Sequence, residues 1–268
     1  MQIGNEMSIP ISSVKEFLAN LDLKPIETPQ PLFRGESGIF PTACTPQLFR
    51  IIRKQKKDKQ EEIEGHLYEK KRVSTWYKEV TLLESQKPLN LTYEIEKLIL
   101  AQHYGVKTRL LDWTTNPLIA LWFACREYNK NDQETYAVYE HIPPSYFLED
   151  DGSDEFLEYD SDRKLAFQNP YCLNFPNTIS TMLKAFEKVH FVQPVKYLDT
   201  RIYKQSSILS IHPNSQKRVK PLKTYIINKS IASNILYELD ILGINFNTTG
   251  LATRDSIAKN VNHCLDNM

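Results

Sequence analysis

The apolar positions along this chain change period repeatedly, and each change marks an element. Val14, Phe17, Leu18 and Leu21 recur at helical spacing behind Ser13-Val-Lys-Glu16, which has the form of a capping box, so a short amphipathic helix opens the fold. Prolines at 25, 29 and 31 end it. Leu32-Phe33-Arg34-Gly35 reads as a short strand with an arginine set among apolar neighbours, and a loop from Ile39 leads to a helix around Gln47 to Ile52. The charged stretch to about Val80 is predicted helical, with Ile63, Leu67 and Tyr68 on its apolar side. A clearer helix places Ile95, Leu98, Ile99 and Gln102 on one face, and it stops at Gly105.

The centre of the chain is denser. Thr108 to Trp113 has the length of a strand, Asn116-Pro117 supplies an N-cap followed by proline at the first helical position, and Leu118 to Cys125 is apolar on every side. A helix without a polar face must be buried, so the Asp112-Trp113-Thr114 corner leading into it is held by the core. Thr135 to Tyr139 alternates as a strand does. Glu149 to Asp162 carries eight carboxylates without periodicity, which predicts an exposed, mobile acidic loop. Ser180 to Val189 reads as a helix, Phe191–Val195, Ser207–His212 and Lys223–Ile227 as strands, Ser233 to Leu242 as a helix stopped by Gly243, and a last helix starts near Ser256.

No repeat and no convincing linker divides the chain, which predicts a single α+β domain with a short split β-sheet and interleaved helices. Residues 1–30 form an N-terminal helix and proline-rich lead-in, 31–265 the main domain, and 149–162 an acidic loop insertion.

Composition narrows the function classes. With 33 Lys plus Arg against 33 Asp plus Glu in 268 residues, the chain has no overall field to attract nucleic acid or an anionic membrane. The basic run Arg50 to Lys59 reads as a solvated surface. Four scattered cysteines with no C-x-x-C pair argue against a zinc site and a disulfide framework, which makes a reducing cytoplasm the expected compartment. No apolar run approaches the length of a membrane span, and no export signal is visible. Neither G-x-G-x-x-G nor G-x-x-x-x-G-K occurs, so any nucleotide is held without a glycine-rich cradle, and no metal is expected. The absence of G-x-S-x-G, and the burial expected for Cys125, disfavour serine or cysteine nucleophiles.

Phe33-Arg34-Gly35, Ala101-Gln-His-Tyr-Gly-x-x-Thr-Arg-Leu-Leu-Asp-Trp-Thr114 and Asn116-Pro-Leu-x-Ala-Leu-x-Phe-Ala124 resemble the signature of the FRG domain. Arg201-Ile-x-x-Gln205 and Leu239-x-x-Leu-Gly-Ile244 resemble its later segments. Ser206-Ser207 departs from the usual glycine after the glutamine, and Thr248-Thr-Gly-Leu-Ala from a Phe-Pro-Asp-Leu motif. The order of elements is similar in plan to the ADP-ribosyltransferases, which bind NAD in a split sheet.

That resemblance implies an NAD-using transferase or glycohydrolase acting on a protein or nucleic-acid acceptor, as a toxin or defence effector does. Its alternative is a non-catalytic nucleotide or nucleic-acid binding module. The implied catalytic residues are Arg34, Thr114, Gln205 and Asp112. Arg34 and Gly35 would anchor the dinucleotide, Thr114 a ribose hydroxyl, and Tyr104 or Trp113 the nicotinamide ring, with His103 beside them. Gln205 stands where active transferases place a glutamate, so Asp112 or Glu36 is the candidate carboxylate. The residues taken alone also allow plainer roles: an ion pair of Arg34 with Asp112, core packing of Trp113 and Tyr104, and a helix-end cap for His103. Oligomeric state is not legible.

Overall fold

The computed structural model describes residues 7–21, 30–55, 60–83, 94–130, 132–143, 156–158, 189–193, 199–212 and 218–251. In chain order these form β1 (Met7–Ile11), α1 (Val14–Ala19), β2 (Leu32–Glu36), α2 (Gln47–Gln55), α3 (Gln60–Leu83), α4 (Glu94–His103), β3 (Leu110–Thr114) and α5 (Pro117–Cys125). There follow β4 (Thr135–His141), β5 (Phe156–Glu158), β6 (His190–Gln193), α6 (Thr200–Lys204), β7 (Ser207–Ile211), β8 (Lys223–Asn228) and α7 (Lys229–Ile241). The strands make one mixed sheet in the order β1-β8-β4-β2-β3-β7-β6-β5, in a single α+β domain.

The sheet nearly divides at its centre. β2 and β4 pair over five positions and β3 and β7 over five, whereas β2 and β3 meet only at Phe33 and Thr114. Past that bridge the strand edges part, and the Arg34 guanidinium occupies the gap, its Nη1 donating to the Asp112 carbonyl at 2.7 Å. A side chain thus satisfies a carbonyl that the ladder would otherwise pair. The expected split is therefore a seam within one sheet.

Each half-sheet has its own helical cover. α1, α5 and α7 pack on the β1-β8-β4-β2 half around Phe17, Phe33, Leu121, Tyr136, Tyr225 and Ile235. Val73 of α3 and Leu98 and Ile99 of α4 pack on Leu110, Leu209 and Ile211 of the other half. Beneath the sheet, Leu32, Leu111, Trp113, Tyr139, Phe191 and Ile208 form a further cluster.

Local signals explain most element ends. Asn116 accepts from the N–H groups of Leu118 and Ile119, and Pro117 begins α5, which buries Ala120, Leu121, Ala124 and Cys125. Ser13 caps α1 by accepting from Glu16 N–H, but the Glu16 carboxylate reaches back to Ser12 N–H (2.8 Å) instead of closing a box on Ser13. Gly105 and Gly243 end α4 and α7 at positive φ, 89° and 79°.

Several expectations need correction. β1, not foreseen, adds to β8 in parallel at the sheet edge. Part of the acidic stretch is no loop: Phe156–Glu158 forms β5 and pairs in parallel with β6, while the rest of 149–162 lies outside the described residues. The helices expected at 180–189 and beyond 256 lie outside them too. β4 is buried from Tyr136 to Glu140 on both faces and does not alternate. Among residues 67–83 of α3 the buried positions are Glu69 and Val73, whereas Leu67 and Tyr68 are about half exposed, at 53% and 52%; the side chain of Ile63 lies outside the described ones.

Ser206, just before β7, has φ +48°. An L-residue in that left-handed region carries strain that glycine lacks. Ser206→Gly should raise stability by about 0.5–1 kcal/mol in denaturant titrations, the relief of strain outweighing the freer unfolded chain.

Candidate functional site

A cleft of about 490 Å³ runs along the seam, walled by β2 and β3, by α4 and α5 on either side, and by the α6–β7 corner. Arg34, Gly35, Glu36, His103, Asp112, Thr114 and Gln205 all line it. Tyr104 does not: its ring stacks on Trp76 at 6.0 Å, and its hydroxyl donates to Asp199 at 3.0 Å. Trp113 lines the cleft, but its indole is almost wholly buried. Its indole belongs to the cluster beneath the sheet, 2% exposed, and its Nε1–H donates to Ser210 Oγ, which in turn meets His212 Nε2 at 2.8 Å. Both predicted stacking residues are therefore structural. The Ser210–His212 contact is likewise buried, and neither residue lines the cleft.

Arg34 pairs with Glu36, two positions along its own strand, and not with the Asp112 carboxylate. Its Nε lies 2.8 Å from Glu36 Oε1, and only the Asp112 carbonyl takes its Nη1. Burial works against the charge of Arg34, but Glu36 and Asp112 outweigh it and hold the guanidinium above its ordinary pKa. Glu36 Oε1 also receives Arg50 Nη2 at 2.8 Å and the Cys44 N–H at 3.4 Å. Its second oxygen, Oε2, is buried without a hydrogen-bond partner among the described residues. An unpaired carboxylate oxygen at a cleft wall is unusual, because burying such a group is costly.

The Asp112 carboxylate is exposed and held by the Gln102 amide (3.1 Å), whose oxygen takes the Thr108 hydroxyl. The Thr114 hydroxyl donates to the Gln205 carbonyl (2.7 Å) and accepts from Asn116 N–H (3.0 Å), tying β3 to the α6–β7 corner and to the cap of α5. Gln205 is the C-cap of α6, two residues before β7, and its Nε2 donates to the Thr249 carbonyl at 2.9 Å. Gly35 turns its missing side chain toward α5: a Cβ there would stand 2.0 Å from the Ala120 carbonyl oxygen. It is glycine for packing, not for access by a ligand.

His103 ends α4 with Nε2 3.4 Å from Asp199 Oδ1. Burial first, then the charge of Arg201, push its pKa down against the pull of Asp199, so the imidazole is neutral near pH 7. The Cys125 thiol is pushed up to about 12 by burial, which removes it as a nucleophile. Among the described residues no three of His, Cys, Asp and Glu gather as a metal site, and no helix there is long and apolar enough to cross a membrane.

Sequence reasoning missed Arg50, Arg126 and Arg201 on the cleft walls. Arg126 lies just past the apolar run of α5, and Arg201 opens a motif read chiefly for its glutamine; the signal for both was position beside recognised residues.

The FRG domain family model matches residues 30–133, so the chain carries an FRG domain over that stretch. The match contains Arg34, Asp112 and Thr114, while Arg201 and Gln205 lie beyond it. No curated protein and no solved structure matches the chain.

Proposed function

We propose that the seam cleft binds NAD and breaks its nicotinamide–ribose bond, passing ADP-ribose to a protein or nucleic-acid acceptor or to water. The observation that carries this reading is the buried, unpartnered Oε2 of Glu36 on the cleft wall, beside two arginines. In the reaction the C1′–N bond breaks with its electron pair leaving on nicotinamide. The cationic sugar is then taken by the acceptor's lone pair, and the acceptor releases its proton to solvent.

Such a sugar cation needs a fixed negative charge nearby, and an amide supplies only a dipole. Glu36 is therefore given the role of electrostatic stabiliser. Arg34 holds the carboxylate in place and keeps further N–H groups for the ligand. Gln205, its Nε2 donating to the Thr249 carbonyl, is given the role of accepting a ribose hydroxyl at its side-chain Oε1.

Nicotinamide release from NAD, followed by chromatography, tests the reading. Glu36→Gln should slow release by about 100-fold or more while ADP-ribose still binds. Equal rates in the variant, or no release from wild type with any acceptor, would remove the catalytic reading. A second reading has its own support: Glu36 Oε1 is already shared by two guanidinium groups, and Gln205 carries no charge. A cleft that binds ADP-ribose without turning over NAD would establish that binding module instead.

A further inference from the structure

The arginines of the cleft fall into two groups with different electrostatics. Arg34 and Arg50 share Glu36, and each also donates to a main-chain carbonyl, of Asp112 and of Thr45. Arg126 and Arg201 line the same cleft without such a partner between them. Among the described residues Arg126 is ion-paired with the exposed Glu127 alone, at 3.4 Å, and lies over the Phe123 and Trp122 rings at 4.9 and 5.7 Å. Asp199 Oδ1 accepts the backbone N–H of Arg201 at 2.7 Å, but among the described residues no carboxylate is ion-paired with its guanidinium, whose Nε is buried without a hydrogen-bond partner.

The charge of Arg201 acts on its neighbours in the cleft. Burial lowers the Arg126 pKa, and the charge of Arg201 adds to that effect against the pull of Glu127. The charge of Arg201 likewise helps keep His103 neutral. Two guanidinium groups lining one cleft, one with an unsatisfied buried N–H, are costly as they stand. A multiply charged anion between them removes both costs. Guanidinium forks match phosphate oxygens bidentately, and Phe123 places an apolar face beside the charge.

We infer that Arg126 and Arg201 form a pyrophosphate subsite, which grips the phosphates of a small nucleotide at the α5–α6 end of the cleft. This deepens the NAD reading and rests on it for the identity of the complete ligand. It also moves the phosphate anchor away from Arg34, whose Nε and Nη1 serve the carboxylate and the seam.

Calorimetry with inorganic pyrophosphate tests the subsite separately from any chemistry at NAD. Wild type should bind pyrophosphate and ADP, and binding should weaken as salt is raised from about 0.05 to 0.5 M. Arg126→Gln and Arg201→Gln should each weaken binding by about tenfold or more. Arg201→Lys, which keeps the charge and the alkyl packing against Gly250 but loses the guanidinium fork, should bind more weakly than wild type and more tightly than Arg201→Gln. Circular dichroism verifies that each variant is folded.

Absence of pyrophosphate binding in wild type overturns the inference. So does equal affinity in folded Gln variants, or binding of a short oligonucleotide but not of pyrophosphate. Pyrophosphate binding that depends on both arginines, without nicotinamide release, upholds the subsite and rejects the NAD chemistry alone.

Discussion

Gly35→Ala should destabilise the protein by about 3 kcal/mol, at the upper end of the range for a forced small-to-large change in a packed core. An added Cβ would stand 2.0 Å from the Ala120 carbonyl oxygen and 2.6 Å from the Ala124 nitrogen. Both are helix backbone, so no rotamer change relieves the contact, and β2 cannot retreat because β4 pairs with it over its whole length. The midpoint of denaturant unfolding reports the loss. If Gly35 were a glycine so that a ligand could approach it, the same substitution would leave stability intact and lower ligand affinity. Unchanged stability would therefore reject the packing account and restore the ligand-facing role.

The contrast shows why residue types in the Phe-Arg-Gly strand are easier to find than to interpret. The strand, the buried helix and its Asn116-Pro117 start are legible because their signals are local: an apolar run, a cap and a proline. The direction in which Gly35 needs space depends on α5, some eighty-five residues along the chain, and no local pattern carries it. Arg34 is similar. Its isolation among apolar neighbours predicts a partner, and a partner exists, but it is Glu36 on the same strand with the Asp112 carbonyl. Side chains at i and i+2 share a face of a strand, so this pairing could have been read from the sequence.

Trp113 and Asp112 separate for the same geometric reason. Neighbours on a strand point to opposite faces, so once Asp112 faces the cleft the Trp113 ring must enter the layer beneath. Edge elements are harder. Met7–Ile11 is largely exposed and contains Pro10, which an edge strand tolerates and which masks the strand pattern. β5 is three residues within an acidic stretch, too short to show a period.

Glu69→Ala should cost about 3–5 kcal/mol, the range for breaking one side of a buried ion pair. Arg109, immediately before β3, is fully buried, and Glu69 of α3 takes three of its N–H groups: the backbone N–H, Nε and Nη2, each at 2.6 Å. Burial presses the Arg109 pKa down, with Glu69 opposing it, so the pair depends on the carboxylate. This pair also explains why the apolar side of α3 was misread. A glutamate that is buried because it is paired looks, in sequence, like the solvent face of a charged helix. Replacing both partners together, as Glu69→Leu with Arg109→Met, should recover most of the loss, since an apolar pair of similar volume avoids desolvating two charges. The consequence reaches the cleft, because Arg109 leads directly into the strand carrying Asp112 and Thr114, and its carbonyl accepts from His212 N–H at 3.2 Å. Denaturant titration of the single and double variants measures the coupling. A loss below about 1 kcal/mol for Glu69→Ala, the level of an exposed pair, would mean that α3 is an accessory to the sheet and not a support of the cleft wall.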